Sequence, residues 1–399
     1  MGDLSESELR ARVRELVAEV DSNDRVAFRS AQFDRGLAWV AFPEGKGGLD
    51  LSPKAQTIVN DELRRAERVY DDIAVNPIGI GMAAPVLLAF GSPEMHERFL
   101  RRIFTGEDIW CQLFSEPGAG SDVASLATRA ERDGDEWIVN GQKVWTTLAH
   151  VSNWGLLVAR SAPDQPKHKG LTYFVVDMHA PGVEVRPLYQ ITGEAEFNEV
   201  FFTDARIADS MRLGAEGDGW NVAVSTLMNE RVALGGGVRA RGSGPIEIVI
   251  DLWHKRASQG EALDKPLRDR VARLWIKAEV LRLTNLRARN NASGGTPGPE
   301  GSVGKLMSAE LNTEITECAV DILGAEGMLH PPGYPMHRPD RASLGDIIPT
   351  KSFLRMRAQS IEGGTSEVMR NILGERVLGL PKEPSVDRDM PWSEIPRSA

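Results

Sequence analysis

The spacing of apolar residues changes twice along the chain, and this change constrains the fold more than any other feature. Over residues 5–109, apolar side chains recur every three or four positions, as in amphipathic helices. Over residues 110–211 the pattern becomes short β-rich runs, bounded by Asp133-Gly134 and Asn140-Gly141, which predict tight hairpin turns. From residue 219 to about residue 380 the helical spacing returns. A helical part, a β part and a second helical part are therefore expected in that order.

This pattern predicts an α+β multi-domain protein, and local signals agree with it. Ser5 and Glu8 have the spacing of a capping box, and Ser92 precedes Pro93 as the N-cap of a later helix. The expected units are a helical N-terminal domain (1–109), a central antiparallel β-domain (110–212), a C-terminal helical bundle (213–382) and a polar tail (383–399). The β-domain is expected to be a small barrel or sandwich. The expected helical segments of the bundle are 220–257, 266–291, 303–324 and 366–379.

Charge and cysteine content exclude several classes of function. The 47 basic and 57 acidic residues leave a net charge of −10, which argues against binding to nucleic acid or to a membrane surface. Cys111 and Cys318 are too few for a disulfide framework or a cysteine-rich zinc site, and the seven histidines lack metal-ligand spacing, so no metal site is expected. We see neither a secretory signal nor a membrane span, and we expect a cytoplasmic protein.

The most informative run of the sequence is Ser-Glu-Pro-Gly-Ala-Gly-Ser-Asp at 115–122, followed by Trp145-Thr146-Thr147. Small residues and a hydroxyl in a glycine-rich turn allow backbone amides to approach an anion or a flat ring. Glycine-rich loops of this kind are more often simple turns, and Trp145 taken alone indicates a core residue at a sheet edge. The run therefore predicts a ligand only in a wider context.

That context comes from four segments taken together: 115–122, Asn-Gly-Gln-Lys-Val-Trp-Thr-Thr (140–147), Gly-Ala-Glu-Gly-Asp-Gly-Trp (214–220) and the C-terminal run 361–381. In this order the chain closely resembles the FAD-dependent acyl-CoA dehydrogenases from about Gly36 to Pro381. The resemblance implies a helical N-terminal domain, a central β-domain and a C-terminal four-helix bundle. It also implies that FAD is the cofactor.

The resemblance assigns the flavin half of the cofactor site. Phe114 and Ser115 would line the ring and bond its pyrimidine side, Trp145 would lie against the isoalloxazine, and Thr147 would bond its N5 edge. Ser121 would lie near the pyrophosphate and the pantetheine arm of the substrate. The remaining contacts implied for the cofactor are Gly120, Thr365 and Glu367.

In this family a neighbouring subunit supplies the adenylate half of the site. The corresponding elements here are Arg256-Ala257-Ser258-Gln259-Gly260 and Asp321-Ile322-Leu323-Gly324-Ala325. Arg256 and Gly324 are retained, whereas Gln259 and Asp321 change the stacking and hydrogen-bonding partners. Asp321 would be unfavourable near a pyrophosphate unless it is turned away or paired. The partner is therefore expected to be a second copy, in a homodimer or homotetramer, or a homologous chain in a heterotetramer.

Dehydrogenation of an acyl thioester needs a base that removes the α-proton. Much of the family places this glutamate at the position that is Gly363 here, whereas isovaleryl-type members carry it on a bundle helix, in the pair that matches Glu230-Arg231. Glu230 also falls on an apolar helical stripe with Ala223 and Leu227, where a carboxylate is costly unless it is paired or used. A structural ion pair of Glu230 is the plain alternative. Glu362 is the rival base if a gap is placed in the turn.

The resemblance implies an enzyme that forms trans-2-enoyl-CoA and passes electrons to a soluble electron-transfer flavoprotein. Glu230 is expected as the base, the Gly363 N–H as a donor to the thioester carbonyl, and Arg231 and Ser121 as substrate contacts. A base on the bundle helix accompanies branched or bulky acyl groups in this family, steroid side chains included. Two alternatives stay open: a flavin acyl-CoA oxidase, and a non-catalytic partner subunit of a heteromeric dehydrogenase.

Overall fold

The computed structural model describes residues 4–396 except 22, 69, 71–74, 235–237, 261–264, 292–299, 330–335, 342–347 and 386. Helices come first along the chain, as predicted. Ser5 and Glu8 form the expected capping box, and the Ser92 hydroxyl accepts the N–H of Met95 at the start of a later helix. The N-terminal helices are α1 (Glu6–Glu19), α2 (Arg25–Asp34), α3 (Gln56–Arg65), α4 (Ala84–Phe90) and α5 (Pro93–Thr105).

A single twisted sheet follows these helices. Its strands are β1 (Trp110–Leu113), β2 (Arg129–Asp133), β3 (Glu136–Thr147), β4 (Trp154–Arg160), β5 (Leu171–Asp177), β6 (Val183–Pro187), β7 (Phe197–Ala208) and β8 (Arg212–Leu213). The order is β6-β7-β3-β2-β4-β5-β8, with β1 paired to β4. The sheet is mixed rather than wholly antiparallel, because β1 lies parallel to β4 and β2 meets β4 in parallel at one residue pair. The β2–β3 hairpin separates β1 from β4 in sequence, which permits the parallel pairing.

The two turn dipeptides have different fates. Gly134, at φ 63°, closes the β2–β3 hairpin as predicted. Asn140-Gly141 makes no turn, so that prediction is wrong: both residues lie inside β3, where its register with β7 shifts. Asn140 there accepts the N–H of Asp204 at 2.9 Å and donates to its carboxylate at 3.0 Å. The positive-φ signal therefore marks a bulge that is held by pairing across the sheet.

The C-terminal region consists of long helices. They are α6 (Gly219–Leu234), α7 (Ile246–Ser258), α8 (Lys265–Asn291), α9 (Glu300–Leu323), α10 (Pro349–Arg355) and α11 (Ser366–Ile372). The predicted segment 220–257 is two helices, since Gly242 and Gly244 take positive φ before α7 begins. Helix α9 is central and packs against α7, α8, α10 and α11. No helix in the described ranges has both the length and the apolar character that crossing a membrane requires.

One continuous core joins the first helical part, the sheet and α6. Phe99 of α5, Trp110 of β1 and Tyr173 of β5 belong to the same buried cluster as Val222 of α6. The Tyr173 hydroxyl lies 3.0 Å from the hydroxyl of Thr226, one helical turn before Glu230. Helix α6 is therefore fixed on the sheet, and this contact sets where Glu230 lies relative to the strands.

The segment predicted as a tail packs on the central sheet. The Trp392 indole donates to the carbonyl of Ser125 at 3.1 Å, and the Arg160 guanidinium lies 4.6 Å from the Trp392 ring. Asp387 accepts from Lys167 at 2.7 Å. The backbone N–H groups of Trp392 and Ser393 also donate to the carbonyls of Gln165 and Pro163, both at 2.9 Å, so aromatic, ionic and backbone contacts together dock a stretch that is polar on average.

Candidate active site

A buried ion pair joins the two motifs that carry the flavin resemblance. Lys143 of β3 is fully buried, and its Nζ lies 2.8 Å from Oε1 of Glu116 in the glycine-rich loop. The same ammonium group donates to the Phe114 carbonyl at 3.0 Å. The Val144 N–H donates to the Ser115 carbonyl at 2.9 Å. The loop and the strand are therefore one unit.

The Glu116 carboxylate also organises the chain beyond the glycines. It accepts the backbone N–H groups of Ala127 at 2.6 Å and Thr128 at 2.9 Å. Burial alone would raise the pKa of Glu116, but the charge and hydrogen bond of Lys143, together with these donors, outweigh it and lower that pKa. A buried carboxylate with this set of donors stays ionised and holds the loop in one conformation.

Sequence reasoning did not assign a role to Glu116 or Lys143. The sequence could have indicated this pair. Trp137, Val139 and Lys143 are separated by even numbers of residues in β3 and are all buried, as residues on one face of a strand are. A lysine on the inward face of a strand requires an acidic partner. In the structure Glu116 of the glycine-rich loop is that partner.

Trp145 is exposed rather than part of the core. It is 60% exposed, has φ 61°, and lies at the second register shift between β3 and β7. Its ring contacts Phe197 edge-on at 6.0 Å between centroids. A positive φ is strained for a bulky residue, and such strain occurs at functional sites. The bulge thus turns an aromatic face outward, as a flat ligand ring requires.

The other residues of the predicted flavin half lie on β3 and in the loop that follows β1. Thr147 pairs with Phe197 across β3 and β7 and is half-buried. The Phe114 ring is buried and packs edge-on against Tyr173 in the core. Gly120 and Ser121 are exposed in the loop.

Glu230 is half-buried on α6, and it lies close enough to Lys305 of α9 for the two charges to interact. Arg231 belongs to the same helix, but its side chain falls outside what the structure describes. Glu362, the rival base, is held differently. Arg355 donates to both its carboxylate oxygens at 3.1 Å and to Glu196 at 3.2 Å. Glu362 is thus held in a structural ion pair with Arg355.

Arg355 is itself largely shielded from solvent, with 12% of its side chain exposed. Burial would lower its pKa, but the charges and hydrogen bonds of Glu362 and Glu196 outweigh burial and raise it. A two-pronged guanidinium–carboxylate contact of this kind is rigid and fixes the orientation of the Glu362 carboxylate. Removal of a substrate proton by Glu362 would require breaking this contact.

The turn after Glu362 is made by Gly363 at φ 63° and Gly364 at φ 92°. A Cβ at Gly364 would lie 2.6 Å from the terminal methyl of Met369, which can move, so it is chiefly the positive φ that favours glycine there. Thr365 caps α11, because its hydroxyl accepts the N–H of Val368 at 3.1 Å. Glu367 is exposed in the first turn of the helix. Thr365 therefore has a structural role in addition to the one that the resemblance implies.

The adenylate elements meet at the ends of two bundle helices. The Arg256 guanidinium donates to the Ile322 carbonyl, and Gly324 follows at φ 58°. Asp321 is paired with Arg270 of α8, which meets the condition that the sequence set for this position. Gln259 is the exposed residue that ends α7.

One buried polar atom is consistent with a ligand near the turn. The Ser366 hydroxyl is buried and has no hydrogen-bond partner among the described residues. Buried hydroxyls are normally satisfied, so an unpaired one beside a glycine turn is consistent with a site that a bound group completes. The exposed Trp145 ring, and the 114–128 loop that Glu116 and Lys143 hold in place, are also consistent with a bound flavin.

Comparison with known proteins shows the family of the chain. Models of the acyl-CoA dehydrogenase N-terminal, middle and C-terminal domains match residues 3–107, 111–205 and 217–378. Acyl-CoA dehydrogenase IpdE1 of Mycobacterium tuberculosis is 40% identical over 361 residues, which cover 90% of this chain and 89% of that protein.

Two solved structures are similar over nearly their whole length. One is the Tcur3481-Tcur3483 steroid ACAD, with a TM-score of 0.72 and 26% identity, covering 95% of this chain and 98% of that one. The other is the ChsE4-ChsE5 complex of Mycobacterium tuberculosis, with a TM-score of 0.70 and 27% identity, covering 96% and 100%.

Proposed function

Since the chain belongs to the acyl-CoA dehydrogenase family, we propose that it oxidises acyl-CoA thioesters with bulky acyl groups and uses Glu230 as its base. It is a flavoprotein oxidoreductase that acts on a CH–CH bond with FAD as cofactor. The observation that carries the assignment of the base is the position of the two glutamates. Arg355 holds both oxygens of Glu362, and Glu230 lies near Lys305, which bonds the Gly364 carbonyl of the glycine turn.

Each residue of the proposed site has its own role in the reaction. FAD, when bound, supplies the acceptor for the hydride that leaves the β-carbon. Phe114, Ser115, Trp145 and Thr147 would hold its ring. Glu230 accepts the α-proton, and the Gly363 N–H donates to the thioester carbonyl as negative charge develops there. Loss of one proton and one hydride leaves the trans-2-enoyl thioester.

The substrate class rests on two supports. The first is a relative of similar architecture whose name is steroid ACAD. The second is the position of the base, since Glu230 on α6 leaves a glycine rather than a carboxylate side chain in the 363–364 turn. We propose a ring-bearing acyl group such as a steroid side chain, and an electron-transfer flavoprotein as the acceptor of the electrons.

The assembly is proposed to contain more than one chain. Arg256, Gln259, Asp321 and Gly324 lie on the bundle, and the family takes the adenylate half of each site from a neighbouring subunit. The ChsE4-ChsE5 structure is a complex of two different chains, which supports a homologous chain as an alternative neighbour. A yellow oligomer from the chain expressed alone supports the homomeric form. A colourless monomer that binds FAD only with a co-expressed homologue supports the heteromeric form.

The decisive experiment is anaerobic stopped-flow reduction of the flavin. A steroid side-chain acyl-CoA should bleach the wild-type flavin faster than octanoyl-CoA does. Glu230→Gln should keep the fold, the yellow colour and substrate binding, but its reduction rate should fall by orders of magnitude. Glu362→Gln is the matched control and should reduce much faster than Glu230→Gln. If Glu362→Gln is inactive and Glu230→Gln turns over, Glu230 is not the base.

A further inference from the structure

Lys305 is a half-buried cation of α9 that faces the glycine turn from inside the bundle. Its Nζ donates to the carbonyl of Gln359 at 2.9 Å and to the carbonyl of Gly364. These two carbonyls flank the turn, one before Glu362 and one after Gly363. The ammonium group therefore ties both ends of the turn to the central helix.

The surroundings of Lys305 are acidic. The charged groups that act on it are Glu230 from α6, Glu362 from the turn and Glu367 from α11. Burial lowers the pKa of Lys305, and these three negative charges oppose that effect. Glu362 already has Arg355 as its partner, and Glu367 is exposed to water. Of the three, Glu362 opposes the effect of burial most, followed by Glu230 and then Glu367.

We propose that Lys305 is a positioning residue for the dehydrogenation step, an inference that rests on the assignment of Glu230 as the base. Its two hydrogen bonds hold the turn in the conformation in which the Gly363 N–H would donate to the thioester carbonyl. Its positive charge favours the ionised form of Glu230, which is the form that accepts a proton. One side chain thus couples the base to the group that polarises the substrate.

The anchoring of this side chain supports such a role. Gln359 is also held by α9, because its side-chain oxygen accepts a hydrogen bond from the Asn312 side chain at 2.8 Å. Lys305 lies two turns earlier on the same helix, so α9 holds the segment before the turn at two points. An ammonium group has three N–H donors, and two of them are used by the carbonyls. The third is available toward the acidic cluster.

Lys305→Met tests the proposal, because it removes the charge and the donors but keeps an unbranched side chain. We expect the variant to retain FAD and to bind acyl-CoA within a few-fold of wild type. The limiting rate of flavin reduction should fall about tenfold, the effect of losing a hydrogen bond of ordinary strength at the reacting group. The apparent pKa of the reduction rate should move upward, since Glu230 loses a favourable charge. Lys305→Arg should recover part of the rate.

Lys277→Met is the matched control. Lys277 lies on α8 and pairs with Glu314 of α9 at 2.6 Å on the bundle surface, so its removal also deletes a lysine bonded to α9. It should leave both the limiting rate and its pH profile unchanged. If Lys305→Met does not fold, Lys305→Gln replaces it. That variant keeps hydrogen-bond donors without the charge, and it should shift the pH profile.

The outcomes separate this inference from the proposed function. Wild-type reduction rates and pH profile in Lys305→Met, or in Lys305→Gln, would overturn the role of Lys305. A loss no larger than that of Lys277→Met would do the same. Glu230→Gln is measured in parallel. If it reduces at the wild-type rate, the base assignment fails. If it is inactive while the Lys305 variants behave as wild type, only the inference about Lys305 fails.

Discussion

Replacing Lys143 with methionine should destabilise the flavin half of the site severely. Lys143 is fully buried, and methionine nearly matches its length, so little cavity is created. The cost comes from Glu116, which keeps its two backbone donors but loses the only cation bonded to it among the described residues. Deleting one partner of a buried ion pair costs about 3–5 kcal/mol. The Phe114 carbonyl loses a donor as well.

The measurement is a double-mutant cycle read by flavin release on heating. Glu116→Gln, Lys143→Met and the double variant are compared with wild type, because coupled residues show a large interaction energy. The double variant should retain its flavin to a higher temperature than Lys143→Met, since it no longer buries an unpaired charge. Equal melting temperatures for Lys143→Met and the double variant would refute this reasoning.

The pH dependence of the same proteins gives a second test. In wild type the pKa of Glu116 is lowered on folding, so its stabilising contribution exists above the unfolded pKa and is lost as the pH falls. In Lys143→Met burial acts without the opposing charge, and the folded pKa should lie above the unfolded one. Acidification then relieves the buried charge. The gap in melting temperature between wild type and Lys143→Met should therefore narrow as the pH falls toward 4.5, and a constant or widening gap would contradict the account.

Three further predictions concern the cofactor and the two ends of the chain. Trp145→Ala and Thr147→Val should each weaken FAD binding or slow flavin reduction, by roughly 1.5–3 kcal/mol where a hydrogen bond to developing charge is lost; wild-type occupancy and rate would contradict the assigned contacts. The pKa of Glu62 is lowered to about 2, chiefly by the Arg14 hydrogen bond. The packing of α1 on α3 should therefore weaken as the pH falls from 4.5 to 2, and the helical signal in circular dichroism should fall with it. Glu62→Gln should lose that pH dependence. Trp392→Ala should release the C-terminal segment to limited proteolysis while the flavin spectrum stays unchanged; unchanged cleavage would show that Trp392 does not hold it.

The sequence alone determined the features that depend on neighbouring residues. The capping box of Ser5 and Glu8, the hairpin at Gly134 and the change from helical to strand spacing all arise within a few residues, where local propensity and periodicity decide the structure. The family and its fold followed from motifs that stand in order along the chain. The assignments of Glu230, Gly363 and the flavin contacts to a site remain predictions.

The tertiary structure decided what depends on residues far apart in sequence. Asn140-Gly141 has the composition of a turn, but pairing with Asp204 of β7 makes it a bulge. The C-terminal segment is polar on average, which predicts a free tail, but the Trp392 ring packs against the Arg160 guanidinium on the sheet.

Charge pairing shows the same limit most clearly. The sequence favours Glu230 over Glu362 as the base, but only the fold shows that Arg355 bonds Glu362 and that Lys305 lies near both carboxylates. A carboxylate's chemistry depends on the charges within a few ångströms of it and on its access to water. Both are set by tertiary packing, which brings Lys305 of α9 near Glu230 of α6 and Arg355 of α10 onto Glu196 of the segment before β7.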